Sequence, residues 1–141
     1  MSHFFPTTEY AEDQPLPRSI LTTHVLYRGF QTGTTLALLG RTAQNLRTHQ
    51  PITTSILVRA AATGAPIGTG LMGLALLGRM WGREEIEWKD RSWGLMHNQG
   101  QVEIDDWSQV GGVVGSVAGV LGCLVWRQLT GLRGVLVSGT A

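Results

Sequence analysis

The side chains best suited to chemistry in this chain of 141 residues are its histidines, its single cysteine and its serines. Metal sites require histidines and cysteines at short, fixed spacings. His24, His49, His97 and Cys123 form none of these spacings. No serine stands in a Gly-x-Ser-x-Gly pattern, and no glycine-rich loop ends in a lysine that would bind a phosphate. The sequence therefore predicts no catalytic residue, cofactor or metal.

The composition indicates a membrane protein. Charged residues make up 15% of the chain, against roughly 25% in a typical soluble domain, and 19 residues are glycine. The net charge of +1 gives no field that would attract nucleic acid. The mean hydropathy of +0.05 averages charge-free apolar stretches with one highly charged segment. We therefore expect membrane lipids and other membrane proteins as partners, with no nucleic acid and no small-molecule substrate.

Two stretches are long enough to cross a bilayer. Residues 60–78 and 107–126 contain no charged side chain, and a helix needs about 20 residues to cross a hydrocarbon core of roughly 30 Å. Both are rich in glycine, accompanied by Ala and Thr in the first stretch and by Val and Ser in the second, a composition typical of packed membrane helices rather than of a soluble core. The sequence therefore predicts an all-α fold, with a membrane-spanning hairpin of these two helices.

The remaining segments flank the hairpin. Residues 1–17 predict an extended polar N-terminal arm, and 18–141 a single helical membrane domain. Within this domain, 19–47 predicts a partly embedded helix that is capped by Ser19 and interrupted by Arg28. For Arg28, a structural ion pair or a lipid phosphate contact is favoured over a proton relay. The stretch 129–141 predicts the opening of a further membrane helix.

Residues 79–106 predict a charged loop between the two spans. Four basic and seven acidic side chains give this segment a net charge of −3. Arginines without acidic neighbours lie outside the hairpin on both sides, which favours an orientation with both hairpin ends on the positive side of the membrane. These arginines are Arg41, Arg47, Arg59, Arg127 and Arg133.

Small residues predict the helix-packing surfaces. Gly111, Gly115 and Gly119 follow one another at spacings of four in the second span, and Gly64 and Gly68 repeat this spacing in the first. Such a strip lets a second helix approach until the backbones touch, which is a principal mode of helix association in lipid. The partner helix could belong to this chain, to a second copy or to another subunit.

The charged loop is also the candidate docking surface. Trp88, Trp93 and Trp107 alternate with charged residues, as in interfacial segments, and Asp105 or Asp106 could cap the second span. A solvated connecting loop is the alternative interpretation.

Three segments resemble the NUXM-type small membrane subunit of mitochondrial respiratory complex I, best known in fungi. They are HVLYRGFQTG at 24–33, GLMGLALLGRM at 70–80 and DRSWGLMHNQGQVEIDDWSQVGG at 90–112. The resemblance covers roughly residues 18–126. It implies a multi-pass protein of the mitochondrial inner membrane and a non-catalytic accessory subunit of NADH:ubiquinone oxidoreductase, with other membrane subunits of complex I as partners.

Two alternatives belong to other classes. The Tim17/Tim22/Tim23-like family of glycine-rich inner-membrane proteins, which acts in protein translocation, would suit the glycine strip and a count of four helices. Its signature pairs an arginine with an aspartate four residues later, whereas Arg83 is followed here by Glu87. A membrane enzyme or small transporter is the third class, and neither predicted span contains an ionisable side chain to support it.

Overall fold

Helices form the whole regular structure of the part of the chain that the computed structural model describes. The backbone is described for residues 5–138, and side chains are described over the same range except for Cys123 and residues 126–138. In chain order the elements are a short 3-10 helix, Ala11–Asp13, and four α-helices: α1 Pro17–Arg47, α2 Thr54–Met80, α3 Glu85–His97 and α4 Gln99–Ser138. This confirms the all-α prediction.

Helix α1 begins at Pro17, two residues before the predicted cap at Ser19, so the prediction of Ser19 as the N-cap is wrong. Leu16 precedes the helix in the left-handed region, at φ 53°. Proline suits the first helical position because its fixed φ is already helical and its missing N–H needs no partner there. The helix runs past Arg28 as far as Arg47 and is therefore 31 residues long.

A tight turn reverses the chain between α1 and α2. His49 adopts a positive φ of 52°, and the N–H of Gln50 donates to the carbonyl of Asn45 at 3.0 Å. The amide Nδ2 of Asn45 donates across the turn to the carbonyl of Pro51 at 3.2 Å, and Asn45 is only 5% exposed. The turn holds the end of α1 beside the start of α2. Helix α2 therefore runs antiparallel to α1, and the two helices pack along their length.

The segment 79–106, predicted as a charged loop, is largely helical, and this corrects the prediction. Helix α3 occupies Glu85–His97, and its first turn contains Glu85 and Glu87, where negative charge stabilises the positive end of a helix. Glu, Lys, Arg, Leu and Met all have good helical propensity, so the charge density of this segment does not prevent a helix.

Helix α4 begins at Gln99 and continues to Ser138 without a break. The predicted caps, Asp105 and Asp106, consequently lie inside the helix, which corrects that prediction as well. The predicted further helix at 129–141 is the continuation of α4 as far as Ser138, and residues 139–141 lie outside the described residues.

The chain divides into two compact units, Met1–Asn98 and Gln99–Ala141, where a single domain over 18–141 was predicted. The first unit contains the 3-10 helix, the α1–α2 hairpin and α3. Three of its buried apolar side chains, Ile20, Leu76 and Met80, lie toward the start of α1 and the end of α2, which is the same end of the hairpin, and a fourth, Ala65, lies near the middle of α2. In the described part of the second unit, α4 is the only regular element.

Candidate functional site

The closest packing in the first unit is a glycine crossing between α1 and α2, formed by Gly29 and Gly33 on α1 and by Gly64 and Gly68 on α2. On each helix the two glycines are four residues apart and therefore lie on the same face. Gly64 and Gly68 are the two residues that the sequence predicts for packing in the first span. The structure places them against α1.

The two backbones are too close for any side chain at this crossing. A Cβ on Gly33 would meet the carbonyl oxygen of Gly64 and would lie 2.7 Å from the Cα of Gly68. A Cβ on Gly68 would meet the carbonyl oxygen of Gly29 and would lie 2.6 Å from the Cα of Gly33. Only glycine removes the Cβ that would occupy this space, so the spacing of the two helices depends on these residues.

The sequence analysis missed Gly29 and Gly33, although both lie in the motif that carries the family resemblance. They repeat the small-xxx-small spacing, and Ala37 extends it by four more residues. The side chain of Ala37 lies where a Cβ on Gly64 would have to be. The spacing of Gly29, Gly33 and Ala37 is the signal in the sequence that identifies this strip, although α1 also contains several arginines.

A second cluster of contacts joins the N-terminal segment to α3. The indole Nε1 of Trp93 donates to the carbonyl of Thr8 at 3.1 Å, and Nζ of Lys89 donates to the carbonyl of Glu12 at 2.7 Å. Gln14 is 1% exposed and stabilises the segment internally, because its Nε2 donates to the carbonyl of Pro6 at 2.8 Å. The predicted extended arm is therefore folded onto α3 from about Pro6 to Gln14.

Arg18 links the start of α1 to the same surface of α3. Its guanidinium forms an ion pair with Glu85 at 2.9 Å and lies 5.6 Å from the ring centroid of Trp88. Both charged side chains are more than half exposed, so water screens this pair and its contribution to stability is small. The contact orients α3 relative to the start of α1 and contributes little to the free energy of folding.

These contacts show where the predicted docking residues lie. Trp88 and Trp93 are half-buried on α3, and the ring of Trp93 also stacks on His97 with centroids 4.1 Å apart. Asp105 is buried within α4, Asp106 is half-buried beside it, and Trp107 is 76% exposed. The structure thus places Trp88 and Trp93 on α3 of the first unit, whereas the other three lie on α4 of the second.

The glycines of α4 present a different environment from those of the hairpin. Within the second unit, a Cβ added to Gly111, Gly115 or Gly119 would meet no heavy atom within 4 Å. All three lie on the exposed stretch of α4, with Val113, Val114 and Val117 between them at 53% to 65% exposure. Helix α4 therefore carries the predicted strip with no neighbour in the described part of its own unit.

We expect Trp93→Phe to loosen the N-terminal segment. The substitution keeps an aromatic ring but removes the indole N–H that Thr8 accepts, and a hydrogen bond of this kind contributes about 1 kcal/mol. Hydrogen exchange at the amides of Asp13 and Gln14, which close the 3-10 helix, should accelerate roughly fivefold. Trp81→Phe, at a side chain 83% exposed, is the matched control. Equal exchange in both variants would show that the indole does not hold the segment.

The described residues define an all-helical architecture that contains a hairpin packed through glycines. The chain belongs to the family described as a protein of unknown function, DUF1757, whose model matches residues 1–137. No curated protein and no solved structure matches the chain significantly.

Proposed function

We propose that the chain is a membrane-embedded, non-catalytic accessory subunit of the membrane arm of mitochondrial NADH:ubiquinone oxidoreductase. The observation that carries the embedding and packing role is the glycine crossing between two long helices, of which α2 has an exposed apolar surface. The choice of complex is supported by the resemblance of residues 24–33, 70–80 and 90–112 to the NUXM-type subunit.

The surface of α2 supports the membrane environment. Among the helices whose side chains are described throughout, α2 is the one that is long and apolar enough to cross a membrane. Only 22% of its most apolar window is buried, whereas the core helix of a soluble protein would be mostly buried. Ile67, Leu71, Leu74 and Leu77 are each more than half exposed. An exposed apolar surface of this extent requires a cover of lipid or of other proteins.

Helix α4 supplies the second proposed span, residues 107–126. Its side chains are exposed from Val110 to Val125 wherever they are described, and nearly all of them are apolar or small. At 1.5 Å per residue the helix is about 60 Å long, so it would extend well beyond a hydrocarbon core of about 30 Å. In this proposal the spans lie in the bilayer and the charged α3 lies at its surface.

The embedding is tested by cysteine accessibility. In a background with Cys123 replaced by serine, we expect Ala75→Cys and Val120→Cys to react poorly with a membrane-impermeant maleimide in intact membranes. Asp90→Cys on α3 is the exposed control. Labelling of Ala75→Cys or Val120→Cys as fast as Asp90→Cys would contradict the proposed spans.

The non-catalytic role is tested by turnover per intact complex. His24→Ala and His97→Ala should leave NADH:quinone activity near the wild-type value when it is normalised to the amount of assembled complex, because among the described residues neither histidine belongs to a group of His, Cys, Asp or Glu side chains that could hold a metal ion. A variant that assembles fully but has lost most of its turnover would contradict this role.

A further inference from the structure

The hairpin contains a groove that the proposed function does not use. Two cavities of about 650 Å³ and about 450 Å³ lie between α1 and α2. They share Leu36, Ala37 and Thr63 in their walls, so they form one continuous groove along the hairpin. One end lies beside the glycine crossing and the other lies toward the α1–α2 turn.

The two ends of the groove differ in chemistry. The end beside the crossing is lined by apolar and small residues such as Ile67, Leu71 and Met72. The end near the turn is lined by two guanidinium groups, Arg41 on α1 and Arg59 on α2. A ligand that fills this groove therefore needs an apolar body and an anionic head.

The positive charge at the turn has no carboxylate to balance it within the hairpin. The chain contains no acidic residue between Asp13 and Glu84, so none lies in α1, in α2 or in the turn. Arg41 donates from Nη1 to the neutral amide oxygen of Gln44 at 3.0 Å, which leaves its charge uncompensated. Arg41 and Arg59 are both exposed and can reach a ligand.

The distance from the arginines to the apolar end of the groove is close to the thickness of one leaflet of a bilayer. On α2 the groove is lined from Ser55 to Met72, about 26 Å at 1.5 Å per residue, and its part from Arg59 to Leu71 measures about 18 Å. Half of the hydrocarbon thickness is about 15 Å. Arg59 directly precedes the charge-free stretch 60–78, so its guanidinium would lie at the depth of the lipid headgroups.

We infer that the groove binds one anionic phospholipid, with an acyl chain along Ile67 and Leu71 and the phosphate between Arg41 and Arg59. Guanidinium groups form strong charge-assisted hydrogen bonds to phosphate, and basic pockets between membrane helices are known to bind anionic headgroups. The inference rests on the membrane embedding of the hairpin but not on the choice of complex.

The test compares lipid retention by the purified full-length chain. The chain is exchanged in mild detergent with equal amounts of phosphatidylglycerol and phosphatidylcholine, and the bound lipid is counted by native mass spectrometry. We expect the wild type to retain one phosphatidylglycerol with at least about a tenfold preference, from two arginines at the headgroup. Arg41→Gln/Arg59→Gln should lose this preference, whereas Arg47→Gln/Arg79→Gln, with the same change in net charge, should keep it.

A second variant tests the groove itself. A Cβ on Gly40 would meet no atom within 4 Å, so Gly40→Leu should fill the arginine end of the groove without forcing the helices apart, and lipid retention should fall severalfold. Gly70→Leu, also at an open position and outside the groove, is its control.

Three results would overturn the inference: equal retention of the two lipids by the wild type, an unchanged preference in Arg41→Gln/Arg59→Gln, or glycerol 3-phosphate displacing the lipid at equal concentration. The last result would mean that the apolar end contributes nothing. If the hairpin does not lie in the membrane, Ala75→Cys is labelled in intact membranes. This result distinguishes a failure of the proposed membrane embedding from a failure of lipid binding.

Discussion

Replacing Gly33 by leucine should force α1 and α2 apart and strongly destabilise the hairpin. The new side chain would have to occupy the space of the Gly64 carbonyl and the Gly68 Cα. A change of rotamer cannot resolve this overlap, because the atoms that are met belong to the backbone. Overpacking costs typically 1–3 kcal/mol, and contact with rigid backbone places this variant at the upper limit, about 3 kcal/mol.

The measurement is the denaturant midpoint of helix unfolding in detergent, with Gly70→Leu as control. Gly70 lies on α2 near the crossing, but a Cβ there would meet no atom within 4 Å. Leucine at either position gains about 1 kcal/mol of helix propensity over glycine, so the difference between the two variants isolates the cost of the contact. If Gly33→Leu unfolds at the same denaturant concentration as Gly70→Leu, the crossing does not hold the hairpin together.

Gly115→Leu should have an equally large effect on a different property, the incorporation of the chain into the proposed complex. No atom of its own unit lies within 4 Å of a Cβ at this position, so the described structure tolerates the leucine. The added apolar surface also favours membrane insertion. If the strip of Gly111, Gly115 and Gly119 packs against another subunit, the leucine should abolish most of the assembly while insertion stays normal.

The control for Gly115→Leu adds equal bulk to the other side of α4. Val117 lies two residues further along the helix, a rotation of about 200°, and is 53% exposed. Val117→Phe and Gly115→Leu each add four side-chain carbons. We expect the amount of chain in the native complex to fall strongly only for Gly115→Leu, and normal incorporation of this variant would show that the glycine strip faces lipid.

The sequence predicted the helices whose signal is local. The charge-free stretches 60–78 and 107–126 both lie within helices, but α2 and α4 extend well beyond them. Backbone hydrogen bonding continues through polar flanks such as Arg59 and Asp106, so the loss of apolarity does not mark the end of a helix. Most of 79–106 is helical for the same reason, because a high density of charged side chains does not interrupt the backbone hydrogen bonds of a helix.

The contacts between distant parts of the chain could not be predicted. Trp93 and Thr8 are 85 residues apart, and nothing in the sequence around either residue indicates the other. The helix that packs against Gly64 and Gly68 could not be predicted for a related reason. A small-xxx-small strip indicates that a helix will pack against it, but does not specify which helix. The turn at His49 and Asn45 provides the missing information, since it brings Gly29 and Gly33 opposite the strip.

The most direct test of the central claim is native electrophoresis of mitochondrial membranes solubilised in mild detergent, with the chain carrying an epitope tag. We predict that the chain migrates with the band that has NADH:ubiquinone oxidoreductase activity and is absent from that position when the complex is not assembled. Migration with a protein translocase would favour the Tim17/Tim22/Tim23-like alternative. If the chain is absent from the oxidoreductase band while the complex is intact, this result contradicts the proposed function.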